Sequence, residues 1–492
     1  MQRRASCPVI AVIGAGFCGT LLAVLLARTG DVRVLLVDRR GRFGPGLAYG
    51  DVQPQHLLNT PAGRMSAFAD DPEHFTRWAR ARDPKVEGGS FLPRAVYGAY
   101  LEELLANAMA SEPPEEESAF DPLGATWRPG KVPEPPPSRD DGPGIVCLEG
   151  QVIDLLPTGD GMRLRLADGR MLRVDRAALC TGNPPPAPTP GLPDALRDDP
   201  RHISDPWTLE PARLDADAPV LLIGTGLTAL DVALTLTTAG HRGVLHIASR
   251  RGLLPRPHRS PTQRSHHPSH YPTPAVETWP VTALGLLRAL RSEIRQAATH
   301  GVDWREVIAS LRPVTAMLWR RLPTIEQARF LRHLRPFWDS HRHRAAPATW
   351  APIAAMQAEG RLQLHAARLT GVEQTDGELL RATLTHGEQH EVLEVGAIVN
   401  CTGPATDPRR SGDPLLAALL ARGLGRVDAL ELGLEVTDDG RLIGRGGPSA
   451  RVWVAGPQRR PQLWESTAVL ELAAQVAAVA TTLRASLRAP AT

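Results

Sequence analysis

The sequence predicts an α/β protein made of two similar domains with parallel sheets, the second nested in the first. Two glycine-rich turns, near residues 14 and 224, each follow a short apolar run and precede an apolar helix. Each half then closes on Cys-Thr-Gly, at 180–182 and 401–403. The length of 492 residues suits two or three domains. Together these observations predict two Rossmann-like dinucleotide-binding domains, with a helical insertion in the second.

The first glycine turn stands in the full context of a nucleotide site. An apolar strand over 9–13 runs into the turn, a helix over about 17–28 follows, and a second strand over 32–37 ends on Asp38. The alternative, an ordinary strand–turn–helix with incidental glycines, explains fewer of these features.

Each glycine of this turn has a mechanical role. Gly14 permits a tight turn, Gly16 lets the backbone approach a pyrophosphate, and Gly19 lets helix and strand pack closely. The helix N-terminus at Phe17 supplies N–H groups and a partial positive charge for phosphates. Asp38 is placed to accept from a ribose hydroxyl, which suits an unphosphorylated ribose such as that of FAD or NAD.

The same pattern recurs after the midpoint of the chain. The apolar run 220–223 leads into a second turn and a helix that extends to about residue 238. A small residue is accepted at the third position of such a turn. The predicted nucleotide-binding residues of this turn are Gly224, Gly226, Thr228 and Ala229.

The strand after the second turn ends differently from its counterpart. Strand 244–248 is followed by Ser249-Arg250-Arg251 in place of an acid. Guanidinium groups without a carboxylate are what a ribose 2′-phosphate requires, so this site should prefer NADPH to NADH. The alternative is that both arginines lie on a solvated loop of an arginine-rich protein.

The two halves also close alike, which indicates an internal duplication. Residues 145–182 have the pattern of a β-meander with a turn at Asp168-Gly169, and residues 362–403 repeat it. The order of the pieces predicts a nested architecture. The FAD-binding domain comprises 1–212 and 404–492, and the NADPH-binding domain comprises 213–403.

Two insertions interrupt these domains. Residues 112–143 are proline-rich and acidic, which is typical of a disordered surface segment. A loop and helical insertion covers about 256–350, with helical spacing over 284–294 and 327–333. Arg342 and Arg344 near its end are candidates for contact with an anionic substrate, although solvated arginines are commoner.

The whole chain resembles the two-dinucleotide-binding-domain flavoproteins, which include glutathione-reductase-like enzymes and flavin monooxygenases. Three stretches are similar to bacterial FAD/NAD(P)-binding proteins related to YdhS, some relatives of which N-hydroxylate amino acids. The resemblance implies bound FAD and reduction by NADPH. The three stretches are Gly44-Pro45-Gly46-Leu47-Ala48-Tyr49, residues 56–66, and Trp464-Glu465-Ser466-Thr467-Ala468-Val469.

The end of the chain is expected to return to the flavin. Residues 452–457 have the pattern of a last strand, followed by a loop and a helix from about Ser466. In the superfamily a helix N-terminus here points at the pyrimidine edge of the flavin and stabilises charge on the reduced ring. The superfamily often has Gly-Asp where this chain has Gly456-Pro457, so the usual carboxylate contact to the ribityl chain is not expected.

Further residues are predicted to contact the cofactors. Asn59, Thr60 and Ser66 lie where such proteins approach the flavin, and loop hydrogen bonding is the equal alternative. The remaining predicted cofactor contacts are Met65, Thr181, Gly182, Thr402, Gly403, Gly456, Ser466 and Thr467.

The candidates for catalysis are weak and no residue is assigned firmly. They are Asn59, Ser66, His202 and Trp207. His202 and Trp207 lie in a segment that Baeyer–Villiger monooxygenases mark with H-x-x-x-W, but the spacing here is one residue longer. An interdomain hinge is therefore the first interpretation of this segment.

Composition excludes several other functions. The net charge is +3 with no long basic block, so no nucleic-acid partner is expected. The five cysteines contain no C-x-x-C pair, which argues against a disulfide framework, a zinc site and a dithiol redox centre. His258, His266, His267 and His270 lack regular ligand spacing, so no metal is predicted. No run of about 18 apolar residues occurs, so we expect no membrane span and a cytoplasmic location.

The leading functional prediction is an NADPH-dependent flavin monooxygenase that uses O2 to oxidise a small amine or amino acid. The first alternative is an FAD dehydrogenase or oxidase that passes electrons to a quinone or another acceptor. The second is a non-catalytic FAD-binding sensor or assembly protein. Near-exclusive use of arginine over lysine, with abundant alanine and proline, indicates a GC-rich bacterial genome. The sequence identifies neither the substrate nor the oligomeric state.

Overall fold

The computed structural model describes residues 7–50, 52–110, 142–159, 161–259 and 271–488. The chain forms two compact units. The first contains residues up to 54, 60–184 and those from 406 onward, and the second contains 55–59 and 185–405. The second unit is therefore nested in the first, as the sequence predicts.

The chain enters the long segment of the second unit at 184/185, earlier than the predicted boundary at 212/213. Residues 185–212 belong to the second unit. The short strand His202–Ile203 pairs in parallel with Ala397–Asn400. Ala405 N also donates to Pro185 O at 3.0 Å. A strand of two residues has no apolar periodicity, so the sequence carries no signal for this boundary.

The described residues contain seventeen strands and fourteen α-helices. The strands are β1 Val9–Ile13, β2 Arg33–Asp38, β3 Gly144–Glu149, β4 Val152–Pro157, β5 Met162–Leu166, β6 Met171–Val174, β7 Arg176–Leu179, β8 His202–Ile203, β9 Val220–Ile223, β10 Leu245–Ser249, β11 Leu362–Ala366, β12 Arg368–Gln374, β13 Leu380–His386, β14 Gln389–Val395, β15 Ala397–Asn400, β16 Arg441–Gly444 and β17 Gly447–Val454. The helices are α1 Phe17–Ala27, α2 Gly46–Tyr49, α3 His74–Arg82, α4 Arg94–Met109, α5 Leu227–Thr238, α6 Ala283–Thr299, α7 Trp304–Ser310, α8 Thr315–Arg321, α9 Thr324–His333, α10 Arg335–Arg342, α11 Pro347–Ala358, α12 Pro414–Ala421, α13 Arg460–Leu463 and α14 Val469–Arg488.

The first unit is built on a six-stranded sheet in the order β16-β17-β7-β1-β2-β3. All neighbours are parallel except β16, which is antiparallel to β17. Parallel strands are covered on both faces and are therefore continuously apolar. In β1 every residue after Val9 is buried. The carboxyl ends of β2, β1, β7 and β17 consequently lie side by side along one edge.

The predicted meander over 145–182 is partly wrong. Only β4, β5 and β6 form a separate antiparallel sheet, while β3 and β7 join the parallel sheet. In β5 buried and exposed residues alternate, as in a sheet with one solvated face. In β7 the last three residues are all buried, which suits a strand covered on both faces. The predicted turn is present, and Gly169 within it has a φ of +89°.

The second unit repeats this plan. Its parallel sheet has the order β11-β10-β9-β15-β8, and β12, β13 and β14 form the separate antiparallel sheet. The predicted meander over 362–403 therefore needs the same correction, because β11 and β15 belong to the parallel sheet. All four residues of β15 are buried.

A helical lobe, α6 to α10, lies between β10 and β11. Helices α6 and α9 contain the residues predicted as helical. Glu326 Oε2 accepts from Ala283 N at 2.9 Å, which fixes α9 to the start of α6. The predicted insertion 112–143 falls outside the described residues except at 142–143, as do His266, His267 and His270. Among the helices of the described ranges, none is both long and apolar enough to cross a bilayer.

Candidate cofactor sites

The first glycine turn brings the loop after β1 into direct contact with the end of β7. Gly14 has a φ of +99°, and its N–H donates to Val37 O at 2.8 Å. A Cβ at Gly14 would lie 2.3 Å from Cys180 O. Only glycine allows this approach, because any side chain would overlap the neighbouring strand.

The other two glycines of the turn have different surroundings. A Cβ at Gly19 would lie 1.8 Å from Gly14 O, so Gly19 serves the packing of α1 on the turn. A Cβ at Gly16 would meet Gly46 Cα at 3.6 Å, an ordinary contact. Gly16 therefore leaves space at the N-terminus of α1, where Phe17 begins the helix.

The loop at 44–46 completes this turn and was not among the predicted cofactor residues. Gly44 N donates to Ala15 O at 2.9 Å. Gly46 has a φ of +58°, and a Cβ there would lie 2.7 Å from Gly16 Cα. The Gly-Pro-Gly stretch was a signal for this role, but sequence spacing alone did not show which turn it approaches.

Asp38 holds the position predicted for ribose recognition, at the carboxyl end of β2. Its Oδ2 accepts from Ala15 N at 3.0 Å, and its Oδ1 accepts from Arg40 N at 2.9 Å. The carboxylate is thus fixed beside the glycine turn. Each of its oxygens can still accept a further hydrogen bond, since a carboxylate offers about four lone-pair positions.

At the adjacent strand end, the structure leaves a polar group for a ligand. The Thr181 hydroxyl is buried and makes no hydrogen bond with any residue that the structure describes. A Cβ at Gly14 would lie 3.3 Å from Thr181 Cα, so this hydroxyl belongs to the same edge. Gly182 follows with a φ of +70°. The glycine cradle, Asp38 and the unpaired hydroxyl together fit a dinucleotide such as FAD.

The end of β17 closes this edge on the other side. Gly456 has a φ of +99°, and a Cβ there would lie 3.3 Å from Cys18 Sγ, in the first turn of α1. Gly456 N donates to Gln475 Oε1 on α14. Gly456 is therefore beside the predicted pyrophosphate site, and Gln475 was not predicted because no sequence pattern links it to this strand.

The predicted helix start near Ser466 is wrong by three residues, because α14 begins at Val469. Trp464 has a φ of +58°, which turns the chain away from helix. Ser466 is fully buried, and its hydroxyl donates to Pro457 O at 3.4 Å. Thr467 lies in the turn before the helix rather than within it. Whether this helix end faces the flavin stays a prediction.

The residues predicted near the flavin do not all lie in one unit. Asn59 belongs to the second unit, where its carbonyl accepts from His258 Nε2 at 2.9 Å. Thr60, Met65 and Ser66 belong to the first unit, and the last two are buried.

The Ser66 hydroxyl serves its own loop. It lies 2.6 Å from Asp71 O and accepts from Phe68 N at 3.1 Å. Because the hydroxyl is fully buried and locally bonded, the loop alternative is favoured over a catalytic role for Ser66.

The second glycine turn reproduces the first. Gly224 has a φ of +115°, its N–H donates to Ala248 O at 2.8 Å, and a Cβ there would lie 2.2 Å from Cys401 O. Ala229 is fully buried. Gly226 differs from Gly16, because a Cβ there would meet no atom of the described ranges within 4 Å. The space in front of α5 is therefore open on this side, and Thr228 lies half-buried in its first turn.

The residues that end β10 are arranged as a polar turn. Ser249 Oγ lies 3.0 Å from Thr225 Oγ1 and accepts from Gly252 N at 3.1 Å. Arg250 and Arg251 are exposed. The Arg251 guanidinium carbon lies 5.8 Å from the centroid of the Phe337 ring. This edge thus presents two cations and no carboxylate where the first unit presents Asp38.

The two Cys-Thr-Gly stretches differ in the use of their hydroxyls. Thr402 Oγ1 donates to Asn400 Oδ1 at 2.7 Å, and Asn400 Nδ2 donates to Ala187 O at 2.8 Å. Gly403 has a φ of +81°. The second stretch is therefore bonded within its own unit, whereas the Thr181 hydroxyl is not. Contact of Thr402 and Gly403 with a cofactor stays a prediction.

His202 has a structural position in the second unit. Its Nε2 lies 2.8 Å from Thr189 Oγ1, and its Nδ1 lies 3.0 Å from Arg197 O. Both ring nitrogens are thus engaged in a buried strand end, which favours the structural interpretation. The Trp207 ring packs edge-on against His56, with centroids 6.2 Å apart. His56 Nε2 in turn lies 2.8 Å from Thr235 Oγ1 on α5.

Burial keeps the cysteine thiols protonated. It raises the pKa of Cys18 to about 12 and that of Cys147 to about 11. Burial also raises the pKa of Cys180, Cys401 and Cys7, with the Asp31 carboxylate adding to the effect at Cys7. All five are free thiols. Thiol–disulfide exchange needs an accessible thiolate. These thiols therefore do not suit disulfide reduction.

Residues 11–119 match a protein family described as FAD-NAD(P)-binding. This match confirms the prediction of an FAD/NAD(P)-binding domain. It covers the first glycine turn, Asp38 and the predicted flavin-side residues 59–66. No curated protein is significantly similar to the sequence.

Solved structures share the fold over nearly the whole chain. L-lysine 6-monooxygenase from Pseudomonas syringae is 16% identical, with a TM-score of 0.63 over 97% of this chain and 99% of that one. Ornithine N-hydroxylase from Kutzneria, with reduced FAD, NADP+ and L-ornithine, is 15% identical, with a TM-score of 0.59 over 97% and 98%. Bacillithiol disulfide reductase from Staphylococcus aureus is 11% identical, with a TM-score of 0.53 over 97% and 98%. The nested α/β fold class is thereby confirmed.

Variants of Gly16 and Gly19 should separate cofactor binding from folding. Gly16→Val should fold, because a Cβ has room there, but its side chain should block the pyrophosphate and yield colourless protein. Gly19→Val should not fold, because its Cβ would overlap Gly14 O. Flavin absorbance and circular dichroism check both expectations. Folded Gly16→Val protein with a full flavin content would show that the pyrophosphate lies elsewhere.

Alkylation of thiols should leave reduction of the flavin by NADPH unchanged. At pH 8 the raised pKa values keep the buried thiols protonated and unreactive toward iodoacetamide. The rate of flavin bleaching in a stopped-flow instrument, before and after treatment, is the measurement. The same treatment in denaturant should modify all five cysteines. A loss of reduction in proportion to alkylation would point instead to a redox-active thiol.

Proposed function

We propose that this protein is an FAD-dependent oxidoreductase that is reduced by NADPH and acts as a monooxygenase on a small amine or amino acid. The observation that carries the proposal is the contrast between two matching glycine cradles. The strand after the first glycine turn ends on Asp38. The strand after the second turn is followed by the exposed residues Arg250 and Arg251. This contrast suits one unphosphorylated and one 2′-phosphorylated dinucleotide.

The residues around the first glycine turn could each bind a different part of FAD. Gly14, Gly16 and the N-terminus of α1 would hold the FAD pyrophosphate, Asp38 its adenosine ribose, and the Thr181 hydroxyl the flavin side of the molecule. When bound, the flavin supplies the hydride-accepting and oxygen-activating chemistry. The protein's own contribution is binding and orientation.

The second glycine turn would bind NADPH reversibly, so that the coenzyme can leave after each turnover. Gly226 leaves the N-terminus of α5 open to the pyrophosphate, and the guanidinium groups of Arg250 and Arg251 would bind the 2′-phosphate. A coenzyme that must leave after each turnover suits this open side. The closer approach of Gly46 to Gly16 suits a cofactor that stays bound.

Two lines support monooxygenation over other flavin chemistry. The solved structures with TM-scores near 0.6 include an ornithine N-hydroxylase and an L-lysine 6-monooxygenase. The five protonated thiols give no support to disulfide reduction. Kinship with YdhS-related proteins rests on the three sequence stretches alone and stays a prediction, as do the bacterial source and the cytoplasmic location.

Replacing Arg250 and Arg251 by alanine should remove the preference for NADPH. A charge-assisted hydrogen bond contributes about 1.5–3 kcal/mol, and every 1.4 kcal/mol is about a tenfold change in affinity. We therefore expect the dissociation constant for NADP+ to rise at least about tenfold, with that for NAD+ nearly unchanged. Calorimetric titration of the oxidised protein measures both. Equal losses for the two coenzymes would mean that the arginines do not bind the 2′-phosphate.

Oxygen uptake with candidate amines tests the reaction itself. NADPH should bleach the flavin without oxygen, and air should restore its colour. With L-ornithine, L-lysine or cadaverine as the probe, oxygen consumption should match the formation of an N-hydroxylated product, followed by mass spectrometry. Electron transfer to a quinone without oxygen uptake would favour the dehydrogenase alternative. A flavin that NADPH does not reduce would favour the sensor.

A further inference from the structure

An aromatic ring of the helical lobe lies beside the arginine pair at the end of β10. Phe337 on α10 is 43% exposed, which is uncommon for so apolar a side chain. The Arg251 guanidinium carbon lies 5.8 Å from the centroid of its ring. A cation within about 6 Å of a ring centroid is attracted by the negative face of the ring.

The position of α10 beside this turn is fixed by main-chain hydrogen bonds. Arg256 N donates to Ser340 O at 2.8 Å, one turn after Phe337. Arg256 O accepts from Ala345 N at 3.0 Å. Ser340 is buried. Arg256 is therefore hydrogen-bonded through its N–H to α10 and through its carbonyl to Ala345, just after the end of that helix.

The base of the Arg251 side chain is fixed as well. Gly252 has a φ of +57°, and its N–H donates both to Ser249 O at 3.2 Å and to Ser249 Oγ at 3.1 Å. The backbone on either side of Arg251 thus forms a closed turn. What remains free to vary is the long side chain, which has many rotamers.

Contact with a ring restricts this side chain without using its donors. The attraction of a cation to a ring face uses none of the five N–H groups of a guanidinium as hydrogen-bond donors. The contact with Phe337 therefore leaves the N–H groups of Arg251 available to an anion. Loss of the ring would leave the charge in place and release the side chain into many rotamers.

We propose that Phe337 is a positioning residue that determines coenzyme specificity: its ring restrains the Arg251 guanidinium so that the N–H groups meet the ribose 2′-phosphate. The inference rests on the proposed function, because it needs NADPH at this edge. It also gives the helical lobe a role in coenzyme choice. A ring that contacted the adenine directly would act on NADP+ and NAD+ alike, so the two coenzymes distinguish the possibilities.

The test uses the oxidised holoprotein and the non-reducing coenzymes NADP+ and NAD+, titrated by calorimetry. Phe337→Ala and Phe337→Leu should each raise the dissociation constant for NADP+ about two- to fivefold, the range for an exposed cation–π contact. Both should leave that for NAD+ unchanged. Phe337→Trp should keep the affinity of the parent protein, because indole is at least as good a partner. Leucine keeps apolar volume without a ring and so controls for packing.

The decisive arm repeats Phe337→Leu in the Arg251→Ala protein. If the ring acts through Arg251, the second substitution should have no further effect on NADP+ binding. Additive losses, equal losses for both coenzymes, or unchanged affinity in Phe337→Leu would each overturn the inference while leaving the proposed function intact. A parent protein that binds NADP+ no better than NAD+ would overturn the proposed coenzyme choice and the inference with it. Flavin content and circular dichroism verify that each variant is folded.

Discussion

The architecture depends on a close approach between the backbone of one strand end and the carbonyl of the next. In the first unit the contact joins Gly14 to Cys180 O, where a Cβ would lie 2.3 Å away. In the second it joins Gly224 to Cys401 O, where the distance would be 2.2 Å. Because glycine has no side chain, the chain can turn at the edge of the sheet and begin a helix there. The helix N-terminus, the neighbouring threonine and the end of the next strand all take their places from this turn.

The same frame carries different chemistry in its two copies. The first edge offers a carboxylate at Asp38 and a buried, unpaired hydroxyl at Thr181. The second offers guanidinium groups, and the equivalent hydroxyl of Thr402 is bonded to Asn400. The surroundings differ too, because Gly46 approaches Gly16, whereas no part of the chain that the structure describes comes within 4 Å of a Cβ at Gly226. The two glycine turns therefore differ in charge, hydrogen bonding and surroundings while they share the same backbone geometry.

Several polar residues with catalytic side chains serve the structure instead. His202 uses both ring nitrogens within the second unit, and the Ser66 hydroxyl bonds its own loop. Burial raises the pKa of the cysteine thiols, so they stay protonated. The two sheet edges at the glycine turns are the positions that the proposed function assigns to the cofactors. This division suits a protein whose cofactor performs the reaction and whose side chains bind and orient it.

The sequence by itself determined both glycine turns, their flanking strands and helices, and the contrast between Asp38 and the arginine pair. These features are local: each follows from residue type and spacing within some thirty positions, so no tertiary information is needed. Tertiary structure decided the rest. It assigned β3, β7, β11 and β15 to the parallel sheets, because burial on both faces depends on what covers a strand. Residues 185–212, which contain β8, belong to the second unit rather than the first. The last helix begins at Val469 rather than near Ser466, because the chain turns at Trp464. Tertiary structure also joined Gly46 to Gly16, Gln475 to Gly456 and Phe337 to Arg251. Such contacts link residues distant in sequence, and only the packed chain brings them together.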